Sequence, residues 1–171
     1  DLEFLPIGLF SRDEGQTELK VNYDDRLAFN KLKDEFISYF RIISELKDLS
    51  ALTNIVDVFE ENNTAYAIEE KEDLIPFEEY IERSNGHLDW DIARPLFMPV
   101  ISALEALHKR GVGHYAVAPK NLFITASGKI RMAGYATENE RKRGTALKSQ
   151  LFSGAAAPEQ YEDNFPLDDI T

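Results

Sequence analysis

The sequence predicts an α+β chain in two lobes, with strands and one long helix first, then mainly helices and a small hairpin. Three observations carry this prediction. Residues 17–23, TELKVNY, alternate Leu19, Val21 and Tyr23 with polar neighbours, the period-two pattern of a half-buried strand. Residues 25–48 then change period. Leu27, Phe29, Leu32, Phe36, Phe40, Ile43 and Leu46 recur at three and four, which makes one long amphipathic helix. After it, NIVDVFEE and TAYAIEE flank Asn62-Asn63, a hairpin signature.

The remaining elements follow in order. EFLPIGLF carries Pro6 and Gly8, and SRDEGQ reads as a polar turn. From Ile75, the residues Phe77, Tyr80 and Ile81 give a short helix that stops near Asn85-Gly86. Asp89 is positioned to cap the next helix, which runs to Arg110. Pro95 and Pro99 predict an irregular or kinked first half for it. NLFIT and IRMAGY read as two short strands around a Ser-Gly turn, and residues 136–156 as loop.

Composition narrows the function classes. The chain has 171 residues, no Cys and a net charge of −12, with pI near 4.7. Without Cys there is neither a disulfide nor a thiolate metal site. The acidic balance argues against a nucleic-acid binder, which needs a concentrated basic surface. No uninterrupted apolar run of roughly 18 residues occurs, so nothing in the sequence reads as a membrane span. The ending FPLDDIT reads as cut, which predicts a fragment of a longer protein.

Several generic chemistries lack their residues. There is no H-E-x-x-H, and His87, His108 and His114 have no metal-ligand spacing. No G-x-S-x-G elbow exists, and ASGKI lacks the earlier glycine and following Ser/Thr of a phosphate-binding loop. Pairs such as Asp24-Asp25 and Glu60-Glu61 read as solvated surface.

A different set of motifs recurs in order. GVGHYAVAPKNLFIT, residues 111–125, has the frame G-x-x-H-x-x-x-x-P-x-N-hydrophobic through His114, Pro119 and Asn121. KIRMAGYA follows where a strand would lead into D-F-G, and GAAAPEQY where an activation segment would close on A-P-E. NIVDVFEENNTAYAIEE and the long helix precede them in fitting positions, and LEFLPIGLFSRDE opens the chain. On these motifs the sequence resembles bacterial serine/threonine protein kinases over residues 2–170. The resemblance implies a protein kinase-like two-lobed fold that is truncated. The glycine-rich loop strands and the helices after the activation segment are not in the chain. Residues 1–70 would be part of the N-lobe and residues 71–171 part of the C-lobe.

Phosphoryl transfer is mostly positioning and charge neutralisation, so it depends on a few charged groups. Carried over residue by residue, the resemblance puts Leu2 at the phosphate-holding lysine and Tyr39 at its glutamate partner on the long helix. Ala116 falls at the loop aspartate, Ala118 at the following lysine, and Ala133 at the D-F-G aspartate, in Ala133-Gly134-Tyr135. Asn121 is the remaining metal-ligand position, and one neutral amide does not hold Mg²⁺ against a triphosphate. His114 reads as a structural hydrogen-bonder and Glu69 as the residue at the gate of the adenine pocket. Lys20 and Lys120 are the nearby cations that could stand in for a lost lysine.

These losses predict a pseudokinase that is not an enzyme, with no catalytic residue, no cofactor and no metal. Its expected role is a protein-interaction or scaffolding module in bacterial signalling. The alternatives are a nucleotide sensor without phosphotransfer and a weak kinase using relocated residues. The one basic cluster, ENERKRGTALKSQ, offers Arg141, Lys142, Arg143, Thr145 and Lys148 as interaction candidates in the activation loop. The partner would be another protein rather than nucleic acid, with a second copy of the chain as one way to cover the helix at 89–110. The expected location is cytoplasmic, with a membrane tether, if one exists, outside this chain.

Overall fold

The computed structural model describes residues 1–134. Its elements are β1 (Leu2–Glu3), β2 (Phe10–Ser11), β3 (Lys20–Val21), α1 (Arg26–Glu45), β4 (Ile55–Glu61) and β5 (Thr64–Glu69). Then come β6 (Leu74–Pro76), α2 (Phe77–Arg83), α3 (Trp90–Lys109), β7 (Leu122–Thr125) and β8 (Ile130–Met132). The strands form three antiparallel sheets with orders β1-β5-β4, β2-β3 and β6-β7-β8.

The β4–β5 hairpin forms where the paired asparagines predict it. Asn62 and Asn63 both take positive φ, 55° and 58°. That is the backbone a two-residue hairpin turn needs to match strand twist, and Asn tolerates it better than most residues. α1 lays its buried face across β4 and β5. Phe29, Leu32, Phe36, Phe40 and Ile43 are buried there. The ring of Phe4 lies 5.5 Å from the rings of both Phe29 and Phe36, and Phe36 lies 4.6 Å from Phe40. Each such ring contributes about 1.5–3 kcal/mol through burial, so α1 is held by packing more than by its ends.

The strand predicted over residues 17–23 is shorter than its pattern. Leu19 is buried and Val21 half-buried, yet only Lys20–Val21 is strand, paired with Phe10–Ser11, while Leu19 N donates to Asn62 O at 2.9 Å. A two-residue partner supports no longer ladder, and Tyr23 turns out 80% exposed into the 3-10 turn before α1. α3 runs as one helix from Trp90 to Lys109 with Pro95 and Pro99 inside it. The carbonyls those prolines leave unpaired belong to Asp91 and Pro95, both at exposed positions, where water can satisfy them. Asp89 does occupy the N-cap position, but its carboxylate meets His87 Nε2 at 2.8 Å instead of capping the helix.

Several ties join the N-terminal elements to the later ones. Met132 N donates to Ala51 O at 2.7 Å, beside a parallel bridge between Leu52 and Met132. Arg110 Nη1 reaches Glu45 Oε2 at 2.6 Å, linking the C-terminal ends of α3 and α1. These ties carry the loop after α3 up against α1. Trp90, Ile92, Met98 and Ile101 on α3 remain exposed, as the sequence predicts for this helix.

Candidate functional site

The site is the loop between α3 and β7, closed by the residues after β8. Gly111 ends α3 at φ 73°, and Val112 N turns back to Leu107 O at 3.1 Å. His114 is 2% exposed, and its Nδ1 accepts from Ala116 N at 3.3 Å, which puts a neutral ring's proton on Nε2. From the other side, the ring of Tyr39 on α1 meets His114 edge-on with centroids 6.5 Å apart. His114 is thus buried and hydrogen-bonded within its own loop.

Tyr115 adopts φ 54° and folds its ring back over Gly113. A Cβ at Gly113 would lie 2.4 Å from Tyr115 Cζ, so glycine is required for this packing. Ala116 and Ala118 are buried, 0% and 3% exposed, in a small cluster under Tyr115. Small methyl groups therefore occupy the interior of the loop, and the ring of Tyr115 covers them.

Asn121 is tied into the same loop. Its Nδ2 donates to Ala116 O at 2.7 Å, its backbone N to Ala118 O at 2.8 Å, and its carbonyl accepts from Ala133 N at 2.8 Å. Gly134, at φ 91°, brings its backbone so close that an added Cβ would lie 3.0 Å from Asn121 Cγ and Nδ2. Hence Ala116, Ala118, Asn121, Ala133 and Gly134 converge on one spot, with the carboxamide bonded to Ala116 O and lying beside Gly134.

Leu2 lies on β1, opposite Ala67 of β5, and packs on the core to which Tyr39 belongs. A leucine and a tyrosine in one apolar core form no ion pair. Lys20 is exposed and paired with Asp13, and Lys120 is exposed in the 3-10 turn before β7. Glu69 ends β5 half-buried, and burial pushes its carboxyl above the usual carboxylate range. Arg141, Lys142, Arg143, Thr145 and Lys148, with the A-P-E-like stretch, lie outside the described residues.

Sequence reasoning missed the Tyr115–Gly113 packing and the bidentate pair of Arg131 with Glu72, at 2.7 and 3.1 Å. The pair spans 59 positions, and no local pattern marks it.

The architecture has solved counterparts. The structure called PpkA-294, in its apo form, superposes with a TM-score of 0.62 at 20% identity, covering 77% of this chain and 47% of that one. The fold is that of a protein kinase. No family model matches this kinase-fold chain. Among curated proteins it is 24% identical over 151 residues to the probable serine/threonine-protein kinase CPE1738 of Clostridium perfringens, covering 81% of this chain and 22% of that protein. It is 32% identical over 117 residues to the probable serine/threonine-protein kinase MARK-C of Dictyostelium discoideum, covering 63% and 14%. The chain spans a quarter or less of the length of these curated relatives.

These relatives correct one expectation. Reading the chain as no enzyme does not stand, because the proteins it resembles are named serine/threonine kinases. They support a protein kinase-like family, and loss of catalysis does not follow from them. Among the described residues no helix is long and apolar enough to cross a membrane.

Proposed function

We propose that this kinase-fold segment acts as a protein-interaction module in bacterial signalling. Residues 1–70 would supply part of an N-lobe and residues 71–171 part of a C-lobe. The observation that carries this reading is the internal commitment of Asn121. Its amide donates to Ala116 O, and Gly134 backbone lies against it. Around it, buried Ala116 and Ala118 contribute methyl groups where phosphoryl chemistry uses charge. The partner is another protein. The net charge of −12 disfavours nucleic acid, and the exposed apolar face of α3 offers a surface to a second copy. A membrane tether outside this chain would fit the same role.

A second reading, phosphoryl transfer, is favoured by the names of the relatives. A thermal-shift panel of ATP, ADP, Mg²⁺ and Mn²⁺ on the full-length protein, run beside a labelled phosphoryl-transfer assay, separates the two. The interaction reading expects a melting temperature that nucleotide leaves in place. A rise that grows with nucleotide concentration by mass action would establish a nucleotide sensor instead. Label transferred to a protein acceptor would establish the kinase reading.

A further inference from the structure

Two connectors from the N-terminal elements converge on β8. The first is the segment after α1, held through the main chain of β8. Met132 N donates to Ala51 O at 2.7 Å, and Thr53 Oγ1 donates to Met132 O at 3.3 Å. The second is residues 70–73, between β5 and β6, held through the side chain of the neighbouring Arg131. Arg131 Nε donates to Glu72 Oε2 at 2.7 Å, and Nη2 donates to Oε1 at 3.1 Å.

Strand pleating sets these two roles on adjacent residues. Successive residues of β8 point to opposite faces of the β6-β7-β8 sheet. Ile130 and Met132 are buried in one core with Leu122, Ile124 and the α3 residues Val100 and Leu107. Arg131 therefore stands on the face turned away from α3, in one row with Phe123 and Pro76. The connector meets that face through Glu72, while at its start Glu70 N donates to Asn54 O at 2.9 Å. The side chains of Arg131 and Glu72 are 19% and 32% exposed, against 45% and 61% for Arg110 and Glu45 between α3 and α1. An exposed single contact contributes little, whereas a shielded guanidinium fork that grips both carboxylate oxygens is among the stronger charge pairs.

We infer that Arg131 and Glu72 form a latch that holds the 70–73 connector closed on the β6-β7-β8 sheet. The latch has a pivot beside it, the backbone bond of Met132 to Ala51, which does not depend on side-chain charge. While the pair is closed, Glu72 fixes where the chain leaving β5 meets the sheet that β6 joins. When the pair separates, the connector lifts from Arg131 and the bond at Met132 stays, so a few linker residues absorb the motion as a hinge does. The inference goes beyond the reading of the loop and does not depend on it.

Hydrogen exchange read by mass spectrometry on the full-length protein tests it. Arg131→Gln and Glu72→Gln should each speed exchange about tenfold across residues 70–75, the change expected when a charge-assisted contact is lost. The amides of α3 should keep the parent rates. Exchanging the charges, Arg131→Glu together with Glu72→Arg, should recover protection that either reversal alone removes. Neither residue belongs to the buried core, so the variants keep their fold, which circular dichroism checks. Unchanged exchange over 70–75 in Arg131→Gln would overturn the proposal. A rise shared equally by 70–75 and α3 would also overturn it, because the pair would then support the whole fold rather than one connector. So would an exchanged pair no better protected than either single reversal, since the two charges would not act on each other.

Discussion

Tyr39 on α1 packs edge-on against His114 of the loop, with ring centroids 6.5 Å apart and both residues less than 5% exposed. This contact couples the long helix to the loop through apolar surface rather than through charge. Tyr39→Ala should therefore cost about 3 kcal/mol or more, as large-to-small aromatic changes do in cores. Tyr39→Glu should cost at least as much, because it buries a carboxylate among Phe40, His114 and the α1 core. Urea unfolding midpoints decide this. An unchanged midpoint for Tyr39→Ala would show that the contact holds nothing.

Gly134 and Asn121 are predicted to be coupled. Gly134→Ala puts a methyl 3.0 Å from the carboxamide at a backbone φ of 91°, which should cost about 1–3 kcal/mol. Asn121→Ala removes the donor to Ala116 O and should cost about 1–3 kcal/mol by itself. In the double variant the clash is relieved, so the combined loss falls short of the sum. Strict additivity in a double-mutant cycle would argue that the two groups do not touch.

The Glu69 carboxyl, raised by burial, gives a pH dependence of definite sign. The folded state holds this proton more tightly than the unfolded chain. Stability therefore falls as pH rises from the ordinary carboxylate range through the raised value, and the penalty is absent below that range. Glu69→Gln should melt higher than the parent at neutral pH, with the difference vanishing in acid. Equal melting temperatures at neutral pH would contradict it.

The hairpin turn offers a test of backbone chemistry. Asn62 and Asn63 hold φ near the left-handed region, where a residue with an ordinary Cβ pays about 1–2 kcal/mol. Asn62→Ala should lose about 1 kcal/mol, and Asn62→Gly should lose less despite giving up the contact of Asn62 Nδ2 with Tyr66 at 3.2 Å. Thermal unfolding of the two variants checks the order. A more stable Ala variant would reverse the argument.

Much of the fold was legible because it rests on local patterns. The three-and-four spacing through Phe29, Phe36 and Phe40 marks α1, and Asn62-Asn63 marks the hairpin. The short β6 was not legible. Leu74–Pro76 leads straight into α2, and only pairing with β7, Leu74 opposite Thr125, makes it a strand. Pro95 and Pro99 stay inside α3, and the carbonyls they leave unpaired belong to the exposed residues Asp91 and Pro95.

In the candidate site the sequence named the residues and their chemistry. Leu2, Tyr39, Ala116, Ala118 and Ala133, picked out by the resemblance to kinases, carry no charge. Tertiary structure decided what fills the space. It turned Tyr115 over Gly113, set Tyr39 on His114 and brought Gly134 against Asn121. It also set Arg131 against Glu72. Side-chain type is written residue by residue. Proximity between residues far apart in the chain exists only once α1, the hairpin and the loop pack around a common core.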